Sequence, residues 1–207
     1  ATTITNAPLL NGKTWDNAGT VTIGPGASDR LQLANNAVFS NLAAGTVLIS
    51  STNANPFVHN SGGTAHQLNN AGLIRKTSAG TQTLINQGSY TQSAGGQLDV
   101  DAGTLNLFVN GGYTGTLNVD AGATLALTGG THNLNAGVSF TGTGALQVAG
   151  GTMTVNTPLT FGAAGPVLSM ISGTINGAGA LTVDNAFTLS GGTLTGAGLL
   201  TTNGATT

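Results

Sequence analysis

The sequence contains no cysteine and no glutamate, and its six aspartates with four lysines and arginines make up 5% of the chain. Without cysteine there is no disulfide, no thiolate metal site and no thiol nucleophile. A net charge of −2 leaves no basic face to hold a phosphate backbone, so nucleic acid is not an expected partner. Uninterrupted apolar runs are short, well below the roughly 20 that a membrane-spanning helix takes, and no membrane insertion is expected. Ala1 opens directly into Thr2-Thr3-Ile4-Thr5 with no charged leader; an export signal is expected to have been removed or to lie outside this chain. Asparagine is abundant, yet no Asn-X-Ser/Thr acceptor occurs, which favours a bacterial over a glycosylated eukaryotic source.

What the chain has instead is glycine, 34 in all, together with Thr, Asn and a 39% hydrophobic content. That much apolar surface is enough to fold around. The phrase at Gly130-Thr131-His132-Asn133-Leu134 returns at Gly151-Thr152-Met153-Thr154-Val155, Gly173-Thr174-Ile175-Asn176 and Gly192-Thr193-Leu194-Thr195, in steps of 21, 22 and 19 along the chain. A loose period near twenty, made of strand-length pieces, marks a β-solenoid. Within the pieces apolar residues sit two apart, as in Met153 and Val155, Leu146 and Val148, or Leu181 and Val183, the spacing that puts side chains on one face of a strand. Those residues are read as facing inward, with Gly, Asn and Ala at the corners. Upstream, Val100-Asp101-Ala102-Gly103-Thr104-Leu105 recurs at the same period as Val119-Asp120-Ala121-Gly122-Ala123-Thr124-Leu125.

The fold expected is therefore all-β, a parallel β-helix with about three short strands per coil of ~19–22 residues and almost no helix. One continuous solenoid should span 1–207: larger, less regular coils over 1–70, where Gly19, Gly45 and Gly72 are 26 and 27 apart, with a surface loop near 53–66, and regular coils over 71–207. Dividing by the period gives roughly ten coils, stacked at ~4.8 Å into a rod on the order of 50 Å long.

The stretches Asn70-Ala71-Gly72-Leu73-Ile74-Arg75-Lys76-Thr77-Ser78-Ala79-Gly80-Thr81, Val100 to Leu105 and Gly129 to Leu134, followed by Gly-x-Gly-x-Leu pieces, resemble repeats of large bacterial surface proteins. The resemblance is to the β-helical passengers of autotransporter adhesins and to filamentous-haemagglutinin-like exoproteins, and covers about 70–207. It implies an extracellular, elongated stalk or adhesive segment at the bacterial cell surface, and it transfers no catalytic residue.

Few side chains offer chemistry. Asp101 and Asp120 should stack in neighbouring coils, about 5 Å apart, a thin invitation to calcium, which prefers six to eight oxygens; a turn-forming Asp is the plainer role. A carbohydrate-cleaving β-helix would draw on Asp99, Asp101, Asp120 and Arg75, since Asp16, Asp29 and Asp184 are isolated and Lys76 points away from Arg75. His132 stands where the other coils carry Met153, Ile175 and Leu194 and should be a hydrogen-bonded core residue. His59 and His66 lack a third ligand, and Trp15 is read as covering an open end of the core. No Ser-His-Asp set or phosphate-cradling loop occurs. The outward residues Thr131 and Asn133, Thr152 and Thr154, Thr174 and Asn176, Thr193 and Thr195 should form two rows, an arrangement that also occurs on ice-binding faces, which thermal hysteresis would reveal.

The expected function is a non-enzymatic extracellular structural protein without cofactors, a stalk, adhesive segment or fibre subunit. No cap is evident at either end, so self-association end to end or flanking solenoid segments are the expected partners. The alternative is a carbohydrate-binding or carbohydrate-cleaving β-helix with a host or matrix polysaccharide as partner.

Overall fold

A computed structural model describes residues 1–207 and contains no helix. Parallel strands wind into a solenoid of about nine turns, with roughly three strands to a coil. The first face is a seven-stranded sheet running from Thr2–Ile4 through Thr20–Ile23, Thr46–Ile49, Leu73–Lys76, Gln97–Val100 and Thr116–Val119 to Ser139–Thr141. Leu159–Phe161, Leu181–Val183 and Leu200–Thr202 take up the same place in the last coils, joined to it by the stacked rings of Phe140 and Phe161. A second face starts as a separate sheet of Leu9–Asn11, Leu31–Ala34 and Phe57–Ser61, continued into the next coil by the isolated Phe57–Ile85 bridge. The third face begins at Thr14–Asn17. Second and third faces merge where Ala145–Val155 and Val167–Asn176 run unbroken around the corner.

Register gives the coil lengths. Thr2 pairs with Val21, Thr20 with Thr46, Thr46 with Leu73 and Leu73 with Gln97, in steps of 19, 26, 27 and 24 along the chain. Later steps on the same face are 19, 23, 22 and 19. Two of the coils beyond position 71 thus exceed the expected range, and the cause is turns. The coil from Thr20 to Thr46 contains three turns closed by their own backbone bonds, Asp29 to Gly26, Ala37 to Ala34 and Gly45 to Leu42. The coil from Thr116 to Ser139 has two, Ala123 to Asp120 and Val138 to Asn135. The coil from Leu73 to Gln97 carries one, Gly96 to Ser93. The 53–66 segment is likewise not all loop, since Phe57–Ser61 within it is a strand.

Alternation supplies the core: strands such as Thr116–Val119 bury every second residue, and the buried apolar side chains form one cluster of 39 from Ile4 to Phe187. Part of the interior is polar. Asn17, Asn41 and Asn70 stack at one corner with Nδ2 to Oδ1 hydrogen bonds of 2.8 and 2.9 Å, and Asn70 donates on to the Gln97 carbonyl. Gln92 takes the next place in the stack, accepting from the Tyr90 hydroxyl at 2.6 Å and donating to the Thr116 carbonyl. The ladder amides pair along the stack or with backbone carbonyls, so it is buried without orphans. Beyond Gln92 the same position is held by Tyr113, Leu134 and Val155.

The corner glycines are demanded by the stacking distance. A Cβ on Gly115 would strike the Gly96 carbonyl oxygen in the coil before it, whereas Gly80 and Gly162 face open space. Gly115→Ala should therefore lower the urea midpoint by the equivalent of about 1–3 kcal/mol, while Gly80→Ala and Gly162→Ala stay within about 0.5 kcal/mol. Asn41→Leu removes one of the two acceptors of the Asn17 amide, which keeps the Thr46 carbonyl, and the donor to the Asn70 side-chain oxygen. It should cost about 2–5 kcal/mol in the same measurement, at about 1–3 kcal/mol per orphaned group; Asn41→Gln should recover part of it.

Candidate functional site

The charged residues singled out in the sequence do meet, on the first face. Arg75 pairs in register with Asp99, and its Nε donates to Asp101 Oδ2 at 2.6 Å. That hydrogen bond to Asp101 raises the guanidinium pKa further above its ordinary value. Asp120 lies one coil beyond Asp101, its N–H bonded to the Val100 carbonyl, and its carboxylate accepts from Asn118 Nδ2 at 2.8 Å. Asp99 accepts from Gln97 Nε2 at 2.8 Å, and burial pushes its carboxyl up. The carboxylates are already engaged by side-chain donors. No three His or Asp side chains are placed to share a metal ion, and none of the five surface hollows is lined by Arg75, Asp99, Asp101 or Asp120. The other acids stay apart: Asp16 is exposed, Asp29 accepts the backbone N–H groups of Asn6 and Gly26 at 2.6 Å each, and Asp184 accepts from Asn203.

Lys76 points the other way, into the core, where it is fully buried. Its ammonium donates to the carbonyls of Ser78 and Ala102, with no carboxylate among its hydrogen-bond partners. Burial brings its pKa down to about 8. The direction of Lys76 was legible in the strand pleat; the cost of its burial was not, because turn carbonyls as partners leave no trace in a sequence.

The histidines form two groupings. His132 is buried as expected, its Nδ1 bonded to the Tyr113 hydroxyl at 2.8 Å and its Nε2 to the Gly129 carbonyl at 2.7 Å. Burial lowers its pKa, and raises those of Tyr113 and Tyr90 stacked beside it, so both phenols keep their protons. His59 and His66 meet with Nδ1 and Nε2 2.8 Å apart; His66 is buried and its own Nδ1 has no partner. Burial and the facing His59 hold His66 below its ordinary value, so its ring is neutral at pH 7.

Trp15 packs edge-on against Phe39, ring centroids 5.2 Å apart, at the amino-terminal end of the core. The Thr and Asn rows form: Thr131, Thr152, Thr174 and Thr193 pair rung to rung, as do Asn133, Thr154 and Asn176, with Thr195 bonded through its N–H to the Ile175 carbonyl just beyond. Upstream the rows change to Asn110 and Gly112, then Ser89 and Thr91, so the threonines are a local run on a longer neutral polar face.

Comparison of the chain with protein-family models, with curated proteins and with solved structures found no match in any of the three.

Buried Lys76 makes stability depend on pH in a stated window. The unfolded lysine keeps its proton up to the ordinary value of 10.5, while the folded one releases it at about 8. Between these values the unfolded state binds more protons, so stability rises with pH across the window and is lowest below it. Urea unfolding from pH 7 to 10.5 should show that rise; Lys76→Met should flatten it and be at least as stable at pH 7.

Proposed function

We propose that the chain is a non-enzymatic structural solenoid of the bacterial cell exterior, a stalk or adhesive segment that lengthens by stacking coils end to end. The observation that carries this reading is the state of the two ends of the stack. Thr2–Ile4 is paired on one side only, with Val21–Ile23, and its other edge is bare beside a hollow of about 390 Å³ lined by Ile4, Leu9, Leu10, Trp15 and Leu31. At the far end Leu200–Thr202 is paired only with Leu181–Val183, and Leu194 and Leu199 stand exposed beside a second hollow of about 190 Å³. Both ends are thus cross-sections through the core rather than caps, the geometry that strand addition requires, whether from flanking solenoid or from a second copy. The two end coils also have the same length, for the step from Thr2 to Val21 equals that from Leu181 to Leu200.

The extracellular placement rests on the resemblance of the repeats to adhesin passengers. Against an enzyme stands the lack of any hollow at the gathered acids. A rod of this kind works by geometry: each coil adds backbone hydrogen bonds and an apolar layer, which gives a stiff spacer with neutral polar sides. Electron microscopy across a concentration series, with light scattering on the same samples, should show unbranched filaments whose mass grows with concentration. Leu199→Asp should reduce them to single rods of unchanged fold. Rods of constant monomer mass at every concentration would remove end-to-end assembly.

A further inference from the structure

We infer that the widened coils near the amino-terminal end carry a binding site for an acidic sugar: the polar hollow between Arg30 and His59 takes the carboxylate-bearing ring of an anionic polysaccharide. The hollow holds about 200 Å³ and is lined by Arg30, Gln32, Asn53, Asn55, Val58, His59 and Asn60. All of these belong to the two widest coils, Thr20 to Thr46 and Thr46 to Leu73, and the hollow lies beside their lengthened connection from the first face to the second: Ile23 to Gln32 and Ile49 to Val58 are steps of nine where Ile4 to Leu9 is a step of five. In solenoids such additions cluster on one side and commonly form the binding face.

Arg30 supplies the charge selectivity. The one ion pair in the molecule is Arg75 with Asp101, which leaves the Arg30 guanidinium without a carboxylate. Its chain neighbour Asp29 forms no ion pair with it, and both oxygens of that carboxylate accept instead from the N–H groups of Asn6 and Gly26. A planar fork of donors open to a concavity fits a carboxylate two-pronged.

His59 adds a fixed donor. Its Nδ1 faces His66 Nε2 at 2.8 Å, and its backbone N–H is tied to Asn86 Oδ1 at 2.7 Å, which together hold the ring in place. The buried, partnerless Nδ1 of His66 sets the tautomer. An orphaned buried N–H is costlier than an orphaned acceptor, so the His66 proton sits on Nε2 and is donated to His59 Nδ1. The His59 proton then sits on Nε2, which makes no hydrogen bond within the protein, is not buried, and is left free to donate. Around these two groups the side-chain amides of Gln32, Asn55 and Asn60 have no partner in the protein and match sugar hydroxyls, which need both donors and acceptors. Asn53 is a positioning residue, spent on the Ala27 carbonyl and the Asn55 N–H. Val58, the single apolar wall, pairs in register with Gln32 and offers a patch for a ring face.

Saturation-transfer NMR with trigalacturonate as the probe tests this, with the fully methyl-esterified trimer as the neutral control and inorganic phosphate as the free-anion control. The trigalacturonate signal should saturate and weaken by about tenfold or more in Arg30→Gln, the loss expected of one charge-assisted pair, and Arg30→Lys should fall between; circular dichroism checks that both variants stay folded. Unchanged binding in Arg30→Gln, or equal binding of the esterified trimer, would overturn the site. Phosphate binding as tightly as the trimer would overturn its assignment to a sugar. Because the readout is monomer binding at the side wall, the outcome is independent of whether the rods stack.

Discussion

Every other property of this molecule depends on the parallel hydrogen-bond ladder that joins each coil to the next. Neutral small residues are common here because the ladder brings like positions of successive coils within one strand spacing, about 4.8 Å. At that distance a column of like charges would repel, and along the register of Arg75, Asp99 and Asn118 the signs alternate and then give way to an amide. The same spacing dictates Gly at corners such as Gly45, Gly72, Gly96 and Gly115, each of which faces a backbone carbonyl of the coil before it.

The ladder tolerates a changing coil length because a turn closed by its own hydrogen bond adds residues without altering the register of the strands that flank it. Widening is therefore local. Between Thr20 and Leu73 the chain lengthens its corners while the first face continues undisturbed. The interior answers with amides at the corner of these wide coils, Asn17, Asn41 and Asn70, and reverts to apolar side chains once the coils narrow. An amide ladder also defines which corner stacks on which, a pairing that aliphatic side chains alone would leave less specific.

Much of this was readable from the residues. The recurring Gly-Thr phrase, period-two apolar positions and the recurrence of Val-Asp-Ala-Gly led to parallel stacked coils, an inward His132 and Asp101 and Asp120 in neighbouring coils. The wide early coils were visible in the spacing of Gly19, Gly45 and Gly72. The Asn ladder was not, because its members lie 24 and 29 apart and asparagine at a corner reads equally as a turn former. His59 and His66 were read as a pair lacking a third metal ligand, but their direct contact was not legible for a related reason: the short stretch around a glycine pair carries no period, and the turn at Gly62 and Gly63, both at positive φ, folds one imidazole onto the other.

The unequal coils also make the rod an uneven tether under tension. A pull on the two chain ends would detach coils singly, since each is bonded only to its immediate neighbours. A released narrow coil frees roughly 65 Å of chain and one of the widest roughly 90 Å, at about 3.4 Å for each link. The widest coils lie close to one end, stitched by the amide ladder as well as by backbone. Slack would thus be let out in short steps from the carboxyl-terminal end, while at the other end one short step is followed by longer, more strongly held ones, a graded length reserve written into the number of residues per coil.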